Sequence, residues 1–203
     1  MDEARVVRDY WFGPERLTAE AIGRRMDFWF GAENAQHDEE IRRRFGGLLE
    51  RAAAGALAGW ADGPRRRLSL IVLLDQFPRN MFRGTARAFD YDAQALPLAL
   101  TGMQSGADGA LDFAERLFFY MPLEHAESLE AQDESVAAFR RLLAEVPPDL
   151  QAIFADTLRF AEEHRSIIER FGRFPHRNAL LGRDSSRAEA EWLREGGGRS
   201  FGQ

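Results

Sequence analysis

The sequence contains no cysteine and no lysine, and each absence excludes a set of chemistries. Without cysteine the chain has no disulfide bonds, no thiolate metal ligands and no thiol nucleophile. All 27 basic residues are arginine, so Schiff-base chemistry, a lysine general base and the Gly-Lys-Ser/Thr phosphate-binding loop are excluded as well. A chain without cysteine is also consistent with a reducing compartment.

Long apolar runs and a basic surplus are missing too. The longest strongly apolar run, residues 68–74 (LSLIVLL), is far shorter than the roughly 20 residues that cross a bilayer, and no apolar signal core follows the N-terminal charges. The net charge is −6, whereas proteins that bind the nucleic-acid backbone usually show a basic surplus. We therefore expect a cytoplasmic protein whose partners include neither membrane nor nucleic acid.

A helical hydrophobic pattern extends along almost the whole sequence. Apolar residues recur three and four apart, and no run alternates as a half-buried strand does. The pattern predicts an all-α fold of about nine helices joined by short loops, with antiparallel stacking of neighbouring helices. The predicted ranges are 5–12, 18–30, 38–54, 64–77, 85–104, 108–121, 129–146, 149–170 and 186–193. Residues 1–195 are expected to form one domain and the glycine-rich residues 196–203 a flexible tail.

Three polar segments interrupt the apolar helices. The first, residues 74–84 (LDQFPRNMFRG), places Asp75 near the end of a helix that should be central and buried, and Pro78 is expected to end that helix. The second is residues 120–125 (YMPLEH), with Glu127 close behind, and the third extends over residues 164–183. Polar residues that interrupt a buried pattern are candidates for a functional site.

The first and third segments share a motif, FPRN at 77–80 and FPHRN at 174–178. Arginine supplies fork-shaped donors that suit phosphate and carboxylate groups, and asparagine orients such a ligand or caps the next helix. One interpretation is therefore a pocket for a small anionic ligand. The candidate ligand-binding residues are Arg79, Asn80, Arg83, Arg173, His176, Arg177 and Asn178, with Arg183 as a further donor.

A second interpretation of the same motifs is structural. In it, proline ends one helix, asparagine caps the next, and each arginine pairs with an acidic residue that holds a loop in place. The acidic residues considered as partners are Asp75, Glu124, Glu127 and Glu169. Clusters of charge mark functional sites in only some proteins, so the sequence leaves both interpretations open.

Three of the four histidines lie in these polar segments, which raises the question of metal binding. Glu124, His125 and His164 could form a zinc or iron site, but no His-Glu-x-x-His spacing supports it, and we predict neither a metal nor another cofactor. A histidine that serves as a hydrogen-bonded anchor, or as an acid/base beside Glu124, is the favoured alternative. The candidate catalytic residues are Glu124, His125, His164 and Asp75.

These segments resemble the bacterial family known as domain of unknown function 924. The motifs that carry the resemblance are DYWFG at 9–13, LDQFPRN at 74–80, FRGT at 82–85, PLEH at 122–125 and the stretch from 170 to 183. The resemblance implies a tetratricopeptide-like fold of stacked helical hairpins, and it implies no established reaction. Pro97 departs from the family pattern, because it falls where the helix of the family usually continues, and it should either kink that helix or begin a new one.

Three functions follow as hypotheses. The first is an arginine-rich pocket that binds a small phosphate- or carboxylate-bearing ligand. The second is an interaction scaffold for a peptide or protein, without catalysis, which should show a long exposed groove with an apolar floor. The third is a metal- or acid/base-dependent hydrolase centred on the histidines and Glu124. The oligomeric state is open in all three.

Overall fold

The computed structural model describes residues 2–14, 17–31 and 35–198, and within these ranges every regular element is helical. The helices are α1 (Glu3–Phe12), α2 (Ala19–Phe30), α3 (Ala35–Ala53), α4 (Pro64–Ile71), α5 (Phe77–Met81), α6 (Asp92–Gln104), α7 (Phe113–Glu124), α8 (Leu129–Glu145), α9 (Gln151–Phe171) and α10 (Arg187–Arg194). A π segment (Val72–Gln76) joins α4 to α5 without a break. None of the helices in the described ranges is long and apolar enough to span a membrane.

The predicted all-α class is confirmed. If α4, the π segment and α5 are counted as one continuous helix, the described residues contain nine helices besides short 3-10 turns. Helices that are adjacent in sequence pack together, since α7 contacts α8 and α8 contacts α9, while α4 contacts α1, α6 and α7. The tetratricopeptide-like stacking that the resemblance implies stays a prediction.

An aromatic corner joins α1 to α2. Trp11 and Trp29 are buried, and the Trp11 carbonyl accepts hydrogen bonds from Trp29 Nε1 at 3.0 Å and from Arg25 Nη1 at 2.7 Å. The N-terminus of α2 is capped by Thr18, as the sequence predicts. These contacts fix the end of α2, where the side chain of Phe30 remains 46% exposed.

The central helix is the most buried part of the chain. Every residue from Leu68 to Pro78 is buried, as the apolar pattern predicts. In the π segment the Phe77 N–H donates to the Val72 carbonyl, five residues back, so this turn is wider than an α-turn. The helix then continues through Pro78 to Met81. The prediction that Pro78 ends the helix is therefore wrong, because the wider turn before it accommodates a residue that lacks an N–H.

Two further prolines lie inside helices. α7 begins five residues later than predicted, at a capping box formed by Asp112 and Glu115, and continues through Pro122 to Glu124. α6 likewise extends through Pro97, whose side chain is exposed, so Pro97 does not begin a new helix. The extension of α7 matters for function, because it carries Glu124 into the interior.

A second, smaller core lies beneath the C-terminal segment. It is formed by Ile167, Ile168 and Phe174, with Trp192 packed against it. Ser186 caps α10 through the predicted capping box. The division into a domain over residues 1–195 and a tail over 196–203 stays a prediction, and residues 199–203 lie outside the described part of the chain.

Candidate functional site

The three polar segments meet at an internal cavity of about 250 Å³. Six of the candidate residues line it, namely Arg79, Asn80, Arg83, Glu124, His125 and His164. The apolar part of the lining includes Trp29, Phe30, Phe89, Met121, Phe139 and Phe160. Because Phe30 and Arg83 are exposed to solvent, the cavity reaches the surface at their rim. The cavity therefore has one polar wall, an otherwise apolar lining and an opening to solvent.

The π segment supplies the base of the polar wall. Asp75 is completely buried, and Gln76 Nε2 donates to its Oδ2 at 2.6 Å. A buried carboxylate is unfavourable unless side chains replace its water, and here an amide does so from the next residue. π turns occur frequently at functional sites, so this turn is itself an indication of function.

Asp75 holds an arginine and a histidine at the same oxygen. Arg79 Nη1 lies 3.3 Å and His125 Nδ1 lies 2.8 Å from Asp75 Oδ1. Burial by itself would raise the pKa of Asp75, but the charge of Arg79 and the contacts with His125 and Gln76 outweigh it and keep this pKa well below its usual value. Burial, followed by the charge of Arg79, lowers the pKa of His125. At neutral pH the His125 ring is therefore uncharged, with Nδ1–H donating to Asp75 and Nε2 as the basic nitrogen.

Glu124 and His164 form a second buried contact, between the end of α7 and the middle of α9. Glu124 Oε1 lies 3.1 Å from His164 Nδ1, which donates to the Phe160 carbonyl at 2.8 Å. Burial, followed by the charge of Asp75, raises the pKa of Glu124 to about 8. Burial lowers the pKa of His164 to about 3. At pH 7 the carboxyl is thus mostly protonated and the imidazole neutral, so this contact is not an ion pair despite its short distance.

Arg79 and Arg177 converge on Asp92 at the start of α6. Arg79 contacts both oxygens of Asp92, at 2.8 and 2.9 Å, and Arg177 Nη1 lies 3.7 Å from Oδ2. Arg177 also donates to the His125 carbonyl at 3.0 Å. Burial, followed by the charge of Arg79, lowers the pKa of Arg177 to about 10. Arg177 therefore holds the backbone of His125 from behind the cavity wall.

At the rim of the cavity, Arg83 and Asn80 share one acidic partner. Arg83 contacts both oxygens of Asp38, at 2.8 and 3.1 Å, and Asn80 Nδ2 donates to Asp38 Oδ1 at 2.9 Å. These contacts join α5 and the loop after it to α3. The positive charge of Arg83 is compensated by this carboxylate.

The arginines of the third segment are paired away from the cavity. Arg173 contacts both oxygens of Glu189, at 2.7 and 2.9 Å, and Arg183 contacts both oxygens of Glu127 at the same two distances. Neither arginine lines the cavity. The contacts are those of the structural interpretation, in which arginine–carboxylate pairs hold loops in place.

Asn178 and His176 belong to the same loop and do not line the cavity either. Asn178 accepts from Arg183 Nε at 3.0 Å and donates to Ser185 at 3.1 Å. His176 lies beside the ring of Phe174, and burial, followed by the charge of Arg177, lowers its pKa to about 4. The repeated motif therefore places its two halves differently, the first half on the cavity and the second behind it.

The acidic partners of the arginines are what the sequence analysis missed. Asp38, Asp92 and Glu189 were not among the acids considered, although each lies in the first turns of a helix, where acidic residues are favoured. This position near a helix N-terminus can be recognised in the sequence and marks the acids as structurally favoured. Their pairing with particular arginines depends on how the helices pack.

Metal binding has no donor set in the described part of the chain, where no three His, Asp or Glu side chains are grouped so that they could hold an ion. Glu124, His125 and His164 do lie close together. Nδ1 of His125 is bonded to Asp75, and Nδ1 of His164 to the Phe160 carbonyl. In each ring the hydrogen bond at Nδ1 determines which nitrogen carries the proton and leaves Nε2 as the basic nitrogen.

Fold and site together define an all-helical protein with a small internal cavity and a titratable wall. The chain matches the family described as bacterial protein of unknown function (DUF924) over residues 7–197, and it belongs to that family, as the sequence motifs predicted. It is also similar to a solved structure, the protein of unknown function ATU0120 from Agrobacterium tumefaciens. The two are 37% identical over 96% of this chain and 98% of that one, with a TM-score of 0.79. No curated protein matches the chain significantly.

Proposed function

We propose that the protein binds a small molecule in the cavity, that Glu124 contacts the polar group of this molecule, and that His125 takes a proton from it. The observation that carries the proposal is the pair of buried carboxyl–imidazole contacts on one cavity wall, Asp75 with His125 and Glu124 with His164. Perturbed titratable groups that line a cleft are characteristic of active sites.

A purely structural role accounts poorly for this wall. Structural arginine–carboxylate pairs elsewhere in the molecule are balanced in charge, as Arg173 with Glu189 is. Glu124 is 6% exposed, and its contact is with a neutral imidazole. A buried carboxyl that no arginine pairs with weakens the folded state, so its position in the lining of a cavity favours a role in binding.

The chemistry available to the wall is general acid–base catalysis. His125 has the environment of a general base, because Asp75 accepts from Nδ1 and leaves Nε2 unprotonated. Glu124 is mostly protonated at neutral pH, with a pKa of about 8, and it can therefore give up a proton when a ligand binds. This arrangement supports the acid/base form of the hydrolase hypothesis without deciding which bond is broken.

The anion-binding hypothesis has less support from the geometry. Arg79 and Arg83 line the cavity, but each contacts both oxygens of a carboxylate, on Asp92 and Asp38 respectively. An anion would therefore have to compete with these carboxylates for the guanidinium groups.

The scaffold hypothesis has little apolar surface to draw on. In the described ranges, Phe30 and Leu129 are the large hydrophobic side chains that are exposed. A groove for a peptide needs a contiguous apolar floor, and two separate side chains do not form one.

Thermal unfolding across a panel of metabolites tests the binding step. A ligand at about 100 times its dissociation constant should raise the melting temperature of the wild type by about 5 to 10 °C. Glu124→Gln should lose this shift. Glu189→Gln is the matched control, because it also alters a buried carboxylate but lies away from the cavity, and it should melt lower yet keep the shift.

Conversion of a stabilising compound, followed by NMR, tests the chemical step. His125→Asn should bind the compound but convert it at least about 100-fold more slowly, because the general base is lost. The proposal is refuted if no compound stabilises the wild type, or if Glu124→Gln retains every shift. Conversion at the wild-type rate by His125→Asn would remove the catalytic role alone.

A further inference from the structure

The charge balance of the cavity wall indicates which ligand charge the wall would accept. Asp75 and Asp92 compensate Arg79 and Arg177 through contacts of 2.8 to 3.7 Å. Arg83, also in the lining, is compensated by Asp38, and Asp156, a further acidic residue of the lining, is paired with Arg159. The histidines of the wall are neutral. The wall is therefore neutral as long as Glu124 keeps its proton, and it carries one negative charge once Glu124 is ionised.

Glu124 has no cation of its own in the described part of the chain. Its Oε1 contacts the neutral His164, and no arginine of the described residues lies within ion-pair distance of its carboxyl. The side chain is more than nine-tenths buried and lines the cavity. The charge of Arg79 acts on Glu124 and partly offsets the rise in its pKa that burial causes, but this guanidinium is already engaged by the carboxylates of Asp75 and Asp92.

The rest of the lining suits a ligand in which an apolar part is attached to a single charged group. Trp29, Phe89, Phe139 and Phe160 contribute aromatic surface, and aromatic faces also attract cations. With a volume of about 250 Å³, the cavity lies slightly below the usual range for drug-sized ligands. It therefore suits a compact molecule with one polar end.

We propose that the ligand of this cavity is a small organic amine, bound as its ammonium ion, whose nitrogen pairs with the Glu124 carboxylate while its apolar part lies against the aromatic lining. The inference rests on the proposed function, in which Glu124 contacts the polar group of a small molecule. Ammonium binding ionises Glu124, so one proton moves from the carboxyl to solvent and the buried carboxylate gains its missing counterion.

Isothermal titration with two matched series tests the sign of the ligand charge. The first series is phenethylamine, phenethyl alcohol and phenylpropionate, and the second is hexylamine, hexanol and hexanoate. In each series the amine should bind at least about 100-fold more tightly than the carboxylate. Glu124→Gln should weaken amine binding by at least about 100-fold and change alcohol binding by less than about threefold, and Glu189→Gln should change neither.

The pH dependence of amine binding by the wild type provides a test without any variant. Affinity should rise nearly tenfold per pH unit below about pH 8, because the carboxyl must lose its proton, and titrations in buffers of different ionisation enthalpy should show nearly one proton released at pH 7. The other titratable groups that face Glu124 are Asp75, Arg79, His125 and His164. The pKa values of these four groups are displaced away from that of Glu124, so their protonation states do not change while Glu124 titrates.

The outcomes separate this inference from the proposed function. If an alcohol or carboxylate binds more tightly than its amine, the amine inference fails, whereas the proposed function stands provided that Glu124→Gln abolishes binding. Amine affinity that is independent of pH, or unchanged in Glu124→Gln, also overturns the inference. If neither series binds but a metabolite of the panel does, the amine inference fails when that metabolite is neutral or anionic. If nothing binds, both proposals fail.

Discussion

Arg177 shows how one buried side chain supports the cavity wall without lining the cavity itself. It is 4% exposed, and its guanidinium lies 4.7 Å from the Phe89 ring centroid and 4.4 Å from that of Phe174. Its hydrogen bond to the His125 carbonyl connects the C-terminal loop to the cavity wall. The residue therefore contributes packing, charge and a hydrogen bond at a single position.

Replacement of Arg177 by alanine should lower the free energy of unfolding by about 3 kcal/mol or more, since it leaves a gap between two rings and a buried carbonyl without its donor. Chemical denaturation followed by circular dichroism measures the change. Arg187→Ala is the matched control, because the side chain of Arg187 is 93% exposed, and it should change stability by less than about 0.5 kcal/mol. An equally small change in Arg177→Ala would show that the residues packed around Arg177 tolerate the loss of its side chain.

Helix α6 depends on a close approach at one glycine. A Cβ atom at Gly102 would lie 2.4 Å from Cζ of Phe119 and 2.8 Å from Cδ of Arg67, so α6 packs directly against α7 and α4 at this point. Phe119 is completely buried and cannot move aside easily. α6 also begins at Asp92, so its position determines where the two arginines of the site converge.

Gly102→Ala should therefore destabilise the protein by about 1 to 3 kcal/mol through overpacking, although alanine favours helices more than glycine does. Gly47→Ala supplies the opposite control, because this helical glycine is exposed and a Cβ there meets nothing within 4 Å. It should stabilise the protein by about 0.5 to 1 kcal/mol. Urea unfolding of both variants makes the comparison, and a stabilising effect of both would contradict the close packing of α6.

At the scale of the whole molecule, the buried titratable groups set how stability depends on pH. His164 and His176 have pKa values of about 3 and 4 when folded, against 6.5 in an unfolded chain. The folded state binds fewer protons than the unfolded state in this interval, so stability rises with pH up to about 6.5. Glu124 acts in the opposite sense, because its pKa of about 8 lies above the ordinary value of 4.5.

The free energy of unfolding should therefore be greatest near pH 6.5 and should fall by up to about 1.4 kcal/mol per pH unit between pH 6.5 and 8. Urea denaturation midpoints across this range measure the decline. Glu124→Gln should abolish it, whereas Glu189→Gln should preserve it. A wild type whose stability stays level or continues to rise between pH 6.5 and 8 would show that Glu124 is already ionised.

The helical class and the candidate site differ in how far the sequence determined them. Apolar spacing of three and four residues specifies helices through local geometry, and the caps at Thr18 and Ser186 depend on residues within one turn. The motifs around Asp75, Glu124 and His164 also contain residues that the structure brings together at the cavity, whereas their role as a site stays a prediction. Family membership followed from the same motifs.

Packing decided the rest, because it depends on contacts between residues far apart in the sequence. The helix continues through Pro78 and Pro122 because neighbouring helices and a π turn compensate for the missing N–H groups, which local propensity cannot anticipate. The choice of Asp92 as the partner of Arg79 likewise depends on where α6 lies. Sequence alone therefore supplied arginine, histidine and glutamate as candidates, whereas tertiary structure decided which charges cancel and left Glu124 without an arginine partner among the described residues.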